Sequence, residues 1–290
     1  MAREKGAVLV TGASTGIGRA CALELERSGF RVFAGVRKKR DAESLGAEGS
    51  ERLAPVTLDV ARPSSIAQAR GEVEDKVGEA RLAGLVNNAG IASGGPIEHL
   101  PMKEFRRVLN VNLLGSIAVT QAFLPLLRRG GGRVVFITSI GGRIAYPYMS
   151  PYHASKWGLE AVADSLRREL RPWRMKVIVI EPGTVSTPIW DKGIDTFGSL
   201  RKEMPSQALR DYGDSLNRMA TTLGANQENG ISPERVARVV RRALTRPFPD
   251  TRYRVGIDAR VSFALSRLLG DRLFDRMVAR VMGIPRRPPD

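Results

Sequence analysis

The chain of 290 residues is 42% hydrophobic and 26% charged, a balance that supports a large buried core and excludes a disordered, collagenous or coiled-coil protein. A single cysteine, Cys21, excludes an intramolecular disulfide, and with only two histidines no Cys/His metal site is expected. The net charge is +16, and half of that excess lies in Ile231–Asp290, where 14 arginines face 6 acids; such a balance suits phosphorylated ligands, nucleic acid or an anionic membrane surface.

Met1–Lys5 is followed by only a short apolar run, so no secretory leader is expected. Short β-branched runs at Ala7–Thr11, Arg31–Val36, Pro55–Leu58, Leu82–Asn87, Arg133–Thr138, Lys176–Glu181 and Tyr253–Gly256 predict strands. Val8-Leu9-Val10 and Val177-Ile178-Val179-Ile180 are continuously apolar, as parallel strands covered on both faces should be. Helical patterns at Gly16–Ser28, Ser64–Val77, Met102–Arg128, Pro151–Leu170 and Pro233–Leu244 alternate with them. Val108–Leu127 is uncharged over 20 residues, but Asn110, Asn112, Gln121 and Pro125 mark it as a buried helix rather than a membrane span.

This alternation predicts an α/β fold, a Rossmann-like doubly wound parallel sheet flanked by helices. No linker divides the chain, so a single domain over 1–290 is expected. Residues 188–231 are too long for a bare loop and predict a helical lid inserted into that domain. Residues 258–283 predict a basic amphipathic C-terminal extension of one or two helices. Its apolar residues suit packing on the body or a partner subunit better than contact with an anionic membrane.

Thr11-Gly12-Ala13-Ser14-Thr15-Gly16-Ile17-Gly18 joins the first strand to the first helix. Glycines there permit a sharp turn and close approach of a pyrophosphate, while the helix start offers unpaired N–H groups. Gly12, Ser14, Thr15, Gly16, Ile17 and Gly18 are therefore candidate cofactor contacts. Further along come Asn87-Asn88-Ala89-Gly90, Asn110-x-Asn112-x-x-Gly115, Ser139 at the end of the fifth strand, Tyr152-x-x-x-Lys156, and Pro182-Gly183 followed by Thr187. In this order the set resembles the short-chain dehydrogenase/reductase family. Gly35-Val36-Arg37 and the extension past the last strand resemble its hydroxysteroid and retinol dehydrogenase-like members.

The resemblance implies an NAD(P)-dependent enzyme interconverting an alcohol and its carbonyl, with Asn112, Ser139, Tyr152 and Lys156 catalytic. It adds Asp59 and Val60 beside the adenine, and Asn88, Ala89, Gly90, Tyr152, Lys156, Pro182, Gly183, Val185 and Thr187 along the cofactor. Asn112 would hold a water linking Lys156 to solvent. A free tyrosine titrates near about 10, too high for an efficient base at neutral pH. Lys156, one helical turn from Tyr152, is expected to lower that value together with an oxidised nicotinamide. Ser139 would hold the substrate oxygen. His153, on another helix face, is given no role, and Cys21 is expected to pack.

The second strand ends Val36-Arg37-Lys38-Lys39-Arg40, with no acid before Asp41. Arg37, with Lys38, is therefore expected to pair with a 2′-phosphate, favouring NADP over NAD. Thr15 stands where some NADP-dependent relatives carry a basic residue. The apolar lid, with Ile91, Ile140, Tyr146 and Met149, predicts a bulky apolar alcohol or ketone of steroid, retinoid, fatty or polyketide-like character. A cytoplasmic homodimer or homotetramer is expected, paired through Met102–Arg128 and Pro151–Leu170 as the family resemblance implies, without metal or nucleic acid. The alternative is a cofactor-sensing Rossmann protein without turnover.

Overall fold

The computed structural model describes residues 5–78 and 81–285. The β-branched runs form seven parallel strands: β1 (Ala7–Val10), β2 (Arg31–Val36), β3 (Leu53–Thr57), β4 (Leu82–Asn87), β5 (Arg133–Ile137), β6 (Lys176–Pro182) and β7 (Arg252–Val255). They lie in the order β3-β2-β1-β4-β5-β6-β7, so the winding reverses between β1 and β4. A crevice opens beyond the carboxyl ends of the strands at such a reversal, which is where α/β sheets bind ligands.

Side chains alternate across the sheet and give each face its own core. On one side Val8, Val10, Val32, Ile178 and Ile180 pack with α1 (Gly16–Arg27), α2 (Lys39–Glu48) and α9 (Pro233–Thr245). On the other, Leu9, Phe33, Phe136 and Val179 meet α3 (Pro63–Val77), α5 (Gly115–Arg129) and α6 (Ser150–Glu169). Met102–Arg129 is long and apolar enough to cross a membrane by length and composition, but it lays Val119, Phe123 and Leu127 on the sheet. It is also not one α-helix: α4 (Met102–Leu109) and α5 are joined by a π turn at Asn110–Leu114.

Sequence periodicity did not reveal α2. Its only buried side chain is Leu45, so a polar helix follows directly on the basic run that ends β2. Residues 188–231 fold as α7 (Ile189–Lys202) and α8 (Ser206–Asn229). A short bridge between Val185 and Ile231 closes the base of this lid. After β7 come α10 (Ile257–Leu268) and α11 (Gly270–Val281).

The lid and the C-terminal helices share a third apolar cluster, in which Phe197, Leu216 and Met219 meet Val278 and Met282. Packing on the body covers only one stripe of the extension: Ile257, Val261, Leu273, Leu268 (80% exposed) and Val281 (77% exposed) face outward. Contacts within one subunit do not account for them.

Candidate active site

The crevice at the winding reversal is lined by Gly12, Ser14, Thr15, Gly16, Ile17, Arg37, Asp59, Val60, Asn88, Ala89 and Gly90 at one end. Ser139, Tyr152, Lys156, Pro182, Gly183, Val185 and Thr187 line the other. Thr11 fastens the two βα turns together: its hydroxyl accepts from the N–H groups of Asn88 (2.9 Å) and Ala89 (3.0 Å). The Asn88 amide donates back to the carbonyls of Thr11 (2.9 Å) and Gly12 (3.1 Å).

Two glycines are fixed by this clasp. Gly12 has φ +65°, and a Cβ there would lie 2.8 Å from the Ala89 Cα. Gly18 does not line the crevice; a Cβ on it would collide with the Gly12 carbonyl and the Asn88 amide. The start of α1 thus stays open to an anionic group, which fits a dinucleotide pyrophosphate. Arg37 is exposed at the β2 end and has no ion-pair partner among the described residues, while Val36 is buried where a ribose-binding acid would stand. Asp41 turns to Arg40. Lys38 instead stands at the residue before α2, without a side-chain capping bond, and lies outside the crevice lining.

Tyr152 and Lys156 project from the first turns of α6, with the Lys156 Nζ 5.7 Å from the Tyr152 ring centroid. The buried Nζ donates to the Ile137 carbonyl at 2.9 Å. Burial pulls its pKa down to about 8, opposed by the charge of Glu160. Burial pushes the Tyr152 phenol up from its ordinary value, opposed by a hydrogen bond with Ser139. The lowering expected from Lys156 is tied to an oxidised nicotinamide, and burial by itself acts in the opposite direction.

Asn112 sits inside the π turn, away from the crevice wall. Its amide donates to the Ile91 carbonyl (3.0 Å) and the Ser155 hydroxyl (3.0 Å), and its Oδ1 accepts from the Ile91 N–H (2.8 Å). These bonds brace the turn after β4 against α6. A π bulge turns this one polar side chain inward without ending the helix.

Behind Lys156 lies an ionic cluster that sequence reasoning missed. Glu160, one turn further along α6, accepts from the Thr138 hydroxyl (2.8 Å), Arg143 (2.8 Å) and Arg252 (3.1 Å). Fully buried Glu181 pairs with Arg143 (2.9 Å) and Arg254 (3.0 Å). Ile189 and Trp190 of the apolar lid line the crevice beside Ile91, joined by Lys192, which sequence reasoning did not single out. Tyr146 and Met149 join the lid's apolar cluster instead, and Ile140 begins a 3₁₀ turn. Tyr148 adopts φ +65°, a conformation that costs a bulky residue on the order of 1–3 kcal/mol. Its carbonyl accepts from the Gly95 N–H at 2.7 Å and pins this wall of the site. Cys21 is buried, and burial keeps its thiol protonated.

A family model described as short chain dehydrogenase matches residues 6–196. Retinol dehydrogenase 5 of Homo sapiens is 39% identical over 284 residues, covering 96% of this chain and 89% of that protein. The 17-beta-hydroxysteroid dehydrogenase type 6 of Bos taurus is 38% identical over 278 residues, covering 94% and 87%. Among solved structures, a short-chain dehydrogenase from Streptomyces avermitilis superposes with a TM-score of 0.76 at 28% identity, over 97% of this chain and 96% of that one. The chain belongs to the short-chain dehydrogenase/reductase family, NAD(P)-binding oxidoreductases acting on CH–OH groups.

His153 serves the site's frame. Its Nδ1 donates to the Gly141 carbonyl at 2.9 Å and its Nε2 accepts from the Tyr146 N–H at 3.0 Å. Burial, opposed by the Gly141 contact, holds its pKa below the ordinary histidine value. The unfolded chain therefore takes up this proton first. The stabilisation is present above about pH 6.5 and is lost as pH falls through the lower folded value. His153→Ala should cost about 1–3 kcal/mol near neutral pH and flatten the acid limb of a urea-denaturation profile. An acid limb as steep as that of the wild type would contradict the assignment.

Proposed function

We propose that the chain interconverts a bulky apolar alcohol, of retinoid or steroid class, and its carbonyl with NADP as cofactor. The observation that carries this reading is the convergence of Ser139, Tyr152 and Lys156 with the glycine cradle and the apolar side chains of Ile91, Ile189 and Trp190 in one crevice. Relatives named for retinol and for a hydroxysteroid support the substrate class. When bound, the nicotinamide supplies or accepts the hydride.

The remaining chemistry falls to side chains of this chain. Ser139 orients the substrate oxygen against the Tyr152 hydroxyl, and Tyr152 exchanges the proton at that oxygen. Burial, which pushes the phenol upward, favours the form that donates the proton to a carbonyl oxygen during reduction. Lys156, cationic below about 8, stabilises the phenolate that remains. Asn112 holds the turn that carries Ile91 and, in this reading, the water that links Lys156 to solvent. Arg37 supports NADP, because a guanidinium without a partner at the ribose end matches a 2′-phosphate. Exposed Leu114 and Trp157 (49% exposed), on the π turn and α6, support self-association through that face.

Tyr152→Phe should lower turnover by at least about 10²–10⁴-fold while leaving cofactor binding intact, as read by stopped-flow turnover and nucleotide titration. Turnover near the wild-type rate would refute the assignment. Arg37→Ala should weaken NADP binding by roughly 10–150-fold and leave NAD binding unchanged. Equal losses for both nucleotides would give Arg37 a structural part only. Light scattering should find a dimer or tetramer, and replacing Trp157 by Glu should shift it toward monomer; a wild-type monomer would contradict the pairing.

A further inference from the structure

A second cavity, of about 400 Å³, lies at the opposite edge of the sheet from Arg37. Its walls are β7, one face of α9 and the first turns of α10. Arg235, Val239 and Arg242 recur on one face of α9 at the spacing of successive helical turns. Arg252 and Arg254 come from β7, and Arg260 and Phe263 from α10. Five arginines and no acid therefore line one concavity.

Their states differ. Arg252 and Arg254 are held from behind by Glu160, Asp164 and Glu181. The guanidinium of Arg254 also stacks 3.5 Å from the Phe263 ring centroid, with Arg267 5.5 Å from that ring. These contacts fix the floor of the cavity. Arg235, Arg242 and Arg260 have no ion pair or side-chain hydrogen bond among the described residues, and all three are exposed. Asp258, the acid closest in sequence to Arg260, lies behind Gly256 and is engaged by the Thr184 N–H at 2.6 Å.

A cavity of this volume is no wider than the ~8–10 Å screening length at physiological salt, so the three cations repel one another unless an anion enters. Guanidinium forks match the tetrahedral oxygens of a phosphate, and two or three of them match its double charge. We propose that this pocket binds a phosphate-bearing anion, at a site distinct from the dinucleotide crevice. Five strand spacings separate β2 from β7, about 24 Å, so no cofactor phosphate held at Arg37 reaches it.

The test uses the full chain with its dinucleotide crevice filled by saturating NADPH, and pyrophosphate as the probe. At constant ionic strength, pyrophosphate should bind saturably by calorimetry and raise the unfolding temperature, whereas chloride should not. In the triple variant Arg235→Gln, Arg242→Gln, Arg260→Gln, binding should weaken at least about tenfold. Without pyrophosphate, that variant should unfold no lower than the wild type, since only mutual repulsion is removed, and should keep its turnover. Arg37→Ala should leave pyrophosphate binding unchanged, which separates this site from the cofactor assignment.

Phosphatidylcholine vesicles doped with phosphatidic acid identify the source of the phosphate. Recruitment that pyrophosphate displaces and the triple variant lacks assigns it to a lipid headgroup. Pyrophosphate binding without such recruitment assigns it to a soluble ligand, and both results uphold the site. Absence of saturable pyrophosphate binding, or an unchanged affinity in the triple variant, overturns it.

Discussion

The interaction on which the site depends is the withdrawal of the Lys156 ammonium from water. Burying a charge costs several kcal/mol unless partners replace its hydration. The Ile137 carbonyl at the end of β5 supplies one such partner, and the carboxylate of Glu160 supplies a field from one turn further along α6. Glu160 is itself buried, and burial pushes its carboxyl upward against the Thr138 hydrogen bond. It is bonded in turn by Thr138, Arg143 and Arg252. Charge compensation therefore runs from Lys156 through β5 and α6 to β7. The edge strand and the chemistry share one electrostatic support.

That chain of support explains how a single helix can serve opposite needs. The first turns of α6 present Tyr152 and Lys156 to the crevice, His153 to the loop before the helix, and Ser155 to Asn112. Each neighbour is locked by a different element, so the helix cannot rotate without breaking bonds to the π turn, β5 and the 140–146 loop. The lid is tied to the same frame at its base through Val185 and Ile231. The C-terminal extension is tied to it through Asp258 on the Thr184 N–H.

Much of this was legible in the sequence because it rests on motifs whose physics is local. Glycines at 12, 16 and 18 after an apolar strand announce a turn that a phosphate can approach, and Tyr152 and Lys156 at one-turn spacing must share a face. The strand–helix alternation gave the sheet for the same reason. What escaped depends on contacts between distant segments. Thr11 looks like a strand-end residue until Asn88 and Ala89 arrive from β4. The π turn at Asn112 leaves helical periodicity nearly unchanged. Glu160, Glu181 and Arg252 read as ordinary surface charges until three elements bring them together. His153 was given no role, and its double hydrogen bond was invisible without the loop that folds over it.

The central claim is that this crevice carries hydride transfer between a nicotinamide and an apolar carbonyl. Deuteride transfer tests it most directly. NADPH carrying deuterium at the transferable C4 position would be mixed with all-trans-retinal or a ketosteroid in a single turnover, and the product examined by mass spectrometry and proton NMR. The account predicts an alcohol with one deuterium on the carbinol carbon, delivered to a single face. An alcohol without deuterium, or no reduction of either substrate class under conditions where NADPH binds, would contradict it.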